Sequence, residues 1–296
     1  MWVFRLPIYI EPSKPTKPMS EPRKHHYVPQ FYQRGFRIDS SNRIWVYQKE
    51  QDARRCGVKR TGMTIDLYAF RNKDGQIDFG SVERHLATID NQGATIIQKL
   101  ERGKSLTDKE RIRLSRFVSI MWRRTPKHKA RVKQTTRELL PKALAPFYEM
   151  ADGLTSEARV EVERIRKEYT KNPPDFLFAH SVLRDSAFED RMSKMDWAFF
   201  KAPPGKEFVT CDDPARFSTG SGLDHKDATI AFPLSRTLLL QCKWNSGWGN
   251  RFQVLSDEQV DYFNLWTVKG ADEQVYASSR SEEIQFLVDK HIGTVK

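Results

Sequence analysis

From Val82 to Leu100 the chain sets apolar residues at steps of three and four: Val82, Leu86, Ile89, Gly93, Ile96 and Leu100. This spacing predicts an amphipathic helix opening at Ser81 and closed by Gly103. Thr107-Asp108-Lys109-Glu110 has the capping-box pattern. It predicts a second helix that buries Leu114, Phe117, Val118 and Met121 and stops ahead of Pro126. Further helices are expected over 127–150, 156–169 and 176–195, with Pro141, Pro146 and Pro173-Pro174 breaking them up. On both sides of this helical stretch the pattern shortens to strand-like runs. Ile44-Trp45-Val46-Tyr47, Gly57 to Arg60 and Leu67-Tyr68-Ala69-Phe70 come before it. Trp197 to Phe200, Phe208 to Thr210, Thr229 to Phe232 and Leu238 to Gln241 come after it. A second capping box, Ser256-Asp257-Glu258-Gln259, opens a helix through Val260, Phe263 and Leu265, and a last helix is expected over 282–290.

Strands, then helices, then strands, then helices predict an α+β fold rather than alternating βαβ units. The expected plan is a flexible N-terminal extension over 1–22 and one α+β domain over 23–296. Within it strands occupy 40–70, helices 81–195, strands 196–245 and helices 256–292. The extension is proline-rich after residue 11, and Met19 reads as a natural start.

Composition narrows the class. The 296 residues include seven Trp and eighteen Phe, which argues against disorder. Three dispersed cysteines with no C-x-x-C pair point to a reducing, cytoplasmic setting. No apolar run reaches the length of a membrane span, so no membrane partner is expected. The net charge of +12 points to a polyanionic partner. That charge is concentrated: Lys99 to Arg137 holds fourteen Lys and Arg against three acids. Without interleaved acids this stretch predicts a phosphate-contacting face. Its nucleic-acid-binding candidates are Arg113, Arg116, Arg123, Lys127, Lys129 and Arg131.

Candidate chemistry sits in three further places. Lys24-His25-His26-Tyr27-Val28-Pro29 sets two imidazoles side by side, and adjacent residues of an extended segment point to opposite faces. At most one of His25 and His26 is therefore expected in a site, as general acid or base. Phe208-Val209-Thr210-Cys211-Asp212-Asp213-Pro214 runs a strand into two carboxylates, where Asp212 either acts in a site or caps backbone amides. Glu83 and Asp90 lie seven apart on the first long helix. A magnesium site would need two or three of these acids together with water; the cofactor is otherwise unassigned. No P-loop, G-x-G-x-x-G or G-x-S-x-G occurs, which leaves nucleotide hydrolysis, dinucleotide and α/β-hydrolase chemistry without support.

His25-His26-Tyr27-Val28-Pro29-Gln30-Phe31-Tyr32 with Gly35-Phe36, followed by Arg43 to Tyr47, resembles the opening of the bacterial and phage family known as domain of unknown function 4238. Arg124-Thr125-Pro126, Thr210-Cys211-Asp212-Asp213-Pro214, Phe232-Pro233-Leu234-Ser235 and Asn264 extend the resemblance over roughly residues 23 to 280. It implies His25, His26, Arg124, Asp212 and Asn264 as motif positions. Glu83 fits a looser acidic position, and Asp90 stands where the family more often has glutamate. The resemblance brings no settled activity, and analogy with phage-defence and toxin-like proteins suggests a nuclease. The leading expectation is an enzyme cleaving phosphodiester bonds of RNA or DNA. His25 or His26 would serve as acid or base, Asp212 and Glu83 as orienting groups, and Arg124 on the phosphate. The alternative is a non-catalytic module binding nucleic acid or a protein partner.

Overall fold

The computed structural model describes residues 23–149, 155–218 and 222–294, so the extension expected over 1–22 lies outside the described residues. The chain begins β1 (Lys24–His26), α1 (Gln30–Arg34), β2 (Arg43–Gln48), β3 (Gln51–Gly57), β4 (Met63–Ile65), β5 (Phe70–Arg71) and β6 (Ile77–Asp78). The helical stretch follows: α2 (Ser81–Glu101), α3 (Asp108–Arg123), α4 (Pro126–Glu149), α5 (Ser156–Lys171), α6 (Asp175–Leu183) and α7 (Ala187–Lys194). Then come β7 (Asp196–Lys201), β8 (Thr210–Cys211), β9 (Arg216–Ser218), β10 (Thr229–Ser235), β11 (Leu238–Lys243) and β12 (Arg251–Val254). The chain closes with α8 (Asp257–Gly270), β13 (Val275–Ala277) and α9 (Glu282–His291). The fold is α+β, with strands at both ends flanking central helices.

Two sheets carry the packing. The larger has the order β12-β7-β11-β10-β9, antiparallel except for the parallel β12/β7 pair. Trp197, Phe199, Ile230, Phe232, Leu240 and Cys242 on one face join the core of α2, α3, α6 and α7. Ala198, Phe200, Ala231 and Leu239 on the other face meet Val260 and Phe263 of α8. Covered on both faces, these strands read as unbroken apolar runs rather than alternating ones. The smaller sheet, β3-β2-β13-β8, unites the N-terminal hairpin with two strands from the far end of the sequence. Its Tyr47, Cys211, Val275 and Ala277 pack with Val288 of α9. Among the described residues no helix is long and apolar enough to cross a membrane.

The helix spacing holds closely: Val82, Leu86, Ile89, Gly93, Ile96 and Leu100 are the buried stripe of α2. Both capping boxes form, at Thr107 with Glu110 and at Ser256 with Gln259. Four expectations change. Pro141 and Pro146 lie inside α4 without breaking it. The carbonyls they leave without that donor belong to Arg137 and Lys142, both exposed residues, where solvent can take the donor's place. The 176–195 helix splits into α6 and α7. Arg123 accounts for the break, donating from Nη1 to the carbonyls of Ser181 (2.7 Å) and Arg184 (2.5 Å). The strand expected at Leu67 to Phe70 is largely a turn, because the Tyr68 amide bonds to a histidine ring instead of a ladder. At Gly57 to Arg60 the chain ends β3 and enters a 3-10 turn over Val58–Arg60.

Gly93 sets how closely α2 and α3 approach. A Cβ there would lie 2.7 Å from the ring of Phe117. Gly93→Ala is expected to destabilise the protein by about 1–3 kcal/mol through overpacking, read as a lowered urea midpoint. An unchanged midpoint would mean that the two helices separate at no cost.

Candidate functional site

The adjacent histidines diverge as an extended segment requires. β1 pairs with β4, setting His25 opposite Thr64 and His26 opposite Met63. The His25 ring is fully buried, stacks on Tyr68 at 5.2 Å, and accepts the Tyr68 backbone N–H at Nδ1 (3.0 Å). That bond places the proton of the neutral ring on Nε2. His26 is half-buried, and burial holds its imidazole below the usual histidine range.

Arg124, at the C-terminal cap of α3, is 1% exposed. Its Nη1 donates to Asp90 Oδ1 and its Nη2 to the His26 carbonyl, both at 2.7 Å. The Tyr68 hydroxyl donates to the Arg124 carbonyl at 2.9 Å. Burial disfavours its charge, but the Asp90 carboxylate beside it keeps the guanidinium charged, its pKa above the ordinary value. Burial pushes Glu83 up while Arg124 pulls it down, and Glu83 Oε1 has no hydrogen-bond partner among the described residues. His26, Glu83, Asp90 and Arg124 thus gather in one place as a buried junction of β1, α2 and α3. Asp90, the position that departs from the expected glutamate, is the acid that holds Arg124.

Asp212 serves differently. Its carboxylate accepts three backbone N–H groups, from Asp272 (2.7 Å), Glu273 (2.7 Å) and Gln274 (2.9 Å). It caps the turn that leads into β13, the second of the two roles the sequence allowed. Burial pushes its carboxyl up to about 7 against those three donors. Tyr32 and Thr210 bond through their hydroxyls (2.8 Å), and Tyr32 donates to the Pro233 carbonyl (2.6 Å), joining three motifs in the core. Asn264 ties α8 to the segment before β8, accepting from Val209 N and donating to the Glu207 carbonyl, each at 2.9 Å. Cys211 is fully buried, and burial raises its thiol far above the thiolate range.

The motifs nevertheless converge, through residues adjacent to the expected ones. A cavity of about 180 Å³ is lined by Tyr27 of the opening motif, by Thr125 and Pro126 with Lys127, and by Asp212 and Asp213. Thr64, Asp272 and Glu273 complete its wall. Asp213 is 2% exposed, and its Oδ1 has no hydrogen-bond partner among the described residues. Its Oδ2 lies 4.0 Å from Lys127 Nζ and 3.4 Å from Arg216 Nη2. Burial raises the Asp213 carboxyl, opposed by the charges of Arg216, Lys127 and Arg131. The Arg216 guanidinium lies over Gly270, where a Cβ would sit 1.5 Å from Nη1, so only glycine admits it. Burial, with Asp212, Glu273 and Asp272 nearby, raises the Tyr27 hydroxyl above the usual phenol range, so Tyr27 stays a neutral donor. Among the described residues no three His, Cys, Asp or Glu side chains form a metal-holding group.

The basic segment is less open than its sequence suggested, because its acids arrive from other elements. Arg116 pairs with Asp185 (2.8 Å), Arg123 with Glu189 (2.6 Å), and Lys129 with Asp175 (3.1 Å). Arg131 lies over the Trp122 ring at 5.9 Å, Lys127 lines the cavity, and Arg113 is exposed. Asp213, which in sequence stands out only beside Asp212, and Tyr27, Asp272 and Glu273, to which the motifs assign no role, complete the cavity lining. The doubled acid in D-D-P was the available signal for Asp213. Asp272 and Glu273 carried none.

Arg124→Ala strips the partner from Asp90 and the donor from His26. It is expected to cost about 3–5 kcal/mol in a denaturation curve, as loss of one member of a buried ion pair does. A variant of wild-type stability that has lost only phosphate binding would overturn the structural assignment.

The family model described as "Protein of unknown function (DUF4238)" matches residues 24–281. No curated protein and no solved structure matches the chain.

Proposed function

Because the chain belongs to this family of unknown function, its chemistry has to be read from the site, and we propose that it cleaves phosphodiester bonds of RNA or DNA at the Asp213 cavity. The observation that carries the reading is Asp213 itself. It is a buried carboxylate with one oxygen that has no hydrogen-bond partner among the described residues, placed beside Lys127 in a cavity where three distant motifs meet. Burial raises its carboxyl towards neutrality, which suits a general base that takes a proton from water. The Lys127 ammonium would meet negative charge growing on the phosphate, and the neutral Tyr27 hydroxyl would donate to a phosphate oxygen. Asp272 and Glu273 would repel a bare polyanion. Magnesium bound by one or two carboxylates and by phosphate oxygens would offset that repulsion. In this assignment His25, His26, Glu83, Arg124 and Asp212 build and hold the cavity, and the reacting groups are their neighbours.

The paired cations of α3 and α4 favour a second reading, a non-catalytic module whose acid-walled cavity takes a cationic group from a protein partner. Co-purification of a protein, with no turnover of nucleic acid, would select it.

Purified protein incubated with labelled RNA and DNA, with magnesium or manganese, is expected to cleave at least one substrate. Asp213→Asn and Lys127→Met are expected to lower the rate by about 100-fold or more. No cleavage by the wild type, or undiminished cleavage by both variants, would overturn the reading.

A further inference from the structure

A second recess lies away from the acidic cavity, on the face of the larger sheet that α8 covers only in part. Cross-strand register puts Arg216, Ala231, Gln241 and Ala198 in one row, and Ser218, Thr229, Lys243 and Asp196 in the next row on the same face. Helix α8 packs over Ala198 and Ala231 of the first row. Beyond the helix the second row is open and polar. It forms a groove of about 330 Å³, lined by Ser218, Thr229, Gln241 and Lys243 from the strands and by Tyr262 and Trp266 from α8. This volume is at the lower end for small-molecule sites.

We propose that this groove binds a segment of single-stranded nucleic acid, stacking a base on Tyr262 and Trp266 and meeting its backbone with Lys243. Tyr262, a large aromatic residue, is 62% exposed. Its ring stands edge-on to Phe263 at 5.5 Å, and Phe263 lies 6.5 Å from Trp266 and 6.1 Å from Phe200. Exposed Tyr262 and half-buried Trp266 are therefore the outer members of an aromatic ladder that begins at Phe200 in the core. Such a platform stacks any base, since every base offers a π face. Across from it, among the described residues, the side chains of Gln241 and Lys243 have no hydrogen-bond or ion-pair partner. An amide able to donate and accept suits a base edge, and an exposed ammonium suits a phosphate.

Charge decides between this ligand and other planar or polar ones. No carboxylate lines the groove, in contrast to the four that line the first cavity. Asp196, the acid of the outer row, is occupied: its Oδ2 accepts from the backbone N–H groups of Ser246 (2.8 Å) and Gly247 (3.0 Å). A groove with a lysine, no free acid and exposed rings matches an anionic strand carrying bases better than a neutral sugar or a basic peptide.

The test measures binding alone, in EDTA, so that it does not depend on the cleavage reading. A fluorescent short oligothymidylate is titrated against the full chain and compared with an abasic strand of equal length and a duplex. The oligothymidylate is expected to bind about 5- to 100-fold tighter than the abasic strand, the range of one stacked base. Tyr262→Ala is expected to erase that advantage. Lys243→Ala should weaken all three ligands and lower the salt slope by about one. Equal affinity for the abasic strand, an unaffected Tyr262→Ala, or preference for the duplex would overturn the proposal, as would displacement of the oligonucleotide by a neutral oligosaccharide at this groove. Binding that passes these tests in a protein with no cleavage activity would sustain this site and remove the cleavage reading.

Discussion

The buried guanidinium of Arg124 is the constraint from which the arrangement around the cavity follows. A fully desolvated cation is tolerated only where a carboxylate and backbone oxygens replace water. Here Asp90 of α2 and the His26 carbonyl of β1 supply them. Three segments far apart in sequence must therefore meet at the end of α3. Thr125, Pro126 and Lys127 follow Arg124 directly, so fixing the guanidinium also fixes where these residues enter the cavity wall. Asp212 does the same for the opposite wall. By accepting three amides of the turn before β13 it holds Asp272 and Glu273 in place, and it delivers Asp213 as the next residue.

The motifs therefore divide the labour by position. In each, the residue that looks most chemical in sequence is tied into a structural bond, through its side chain for Arg124 and Asp212 and through its backbone carbonyl for His26, and the next residue lines the recess: Tyr27, Thr125 and Asp213. Adjacent residues in extended or turning backbone point apart, so one of each pair can be sealed in the core while the other stays available. A histidine, arginine or aspartate in a motif is as well suited to satisfying buried backbone groups as to catalysis. Sequence alone assigns the motif without assigning which member acts.

Local features were the readable part of this fold. The stripe of α2, the capping boxes at Thr107 and Ser256, and the strands at Ile44, Trp197, Thr229 and Leu238 are set by periodicity and by hydrogen bonds within a few residues. What escaped was non-local. β13 has three residues and exists because Val275 and Tyr276 pair with β2 on one side and β8 on the other. β9 and β12 are likewise short edge strands that depend on their neighbours. The basic stretch of α3 and α4 shows the same limit: three of its cations pair with Asp175, Asp185 and Glu189, which lie tens of residues away in sequence. Within the site, the opening, R-T-P and D-D-P motifs were legible one by one, but not their meeting at one cavity, which depends on contacts between distant segments. That Asp212 rather than Asp213 caps the turn before β13 likewise depends on amides about sixty residues away.

The chain's excess of positive charge and its acid-walled cavity are compatible once the scale of each is separated. Net charge governs the approach of a polyanion over distances near the Debye length. The cavity acts over a few ångströms, where Lys127 and Arg216 stand closest to Asp213 and Asp272 and Glu273 line the rim. In the proposed cleavage, Asp213 as general base would need that local balance. Nearby cations favour the ionised carboxylate, and burial opposes it. Asp213 has its charge opposed by burial and favoured by Arg216, Lys127 and Arg131, with one oxygen left without a hydrogen-bond partner among the described residues. Gly270 is part of this balance, because a side chain there would drive Arg216 away and leave Asp213 with Lys127 as its nearest cation at 4.0 Å.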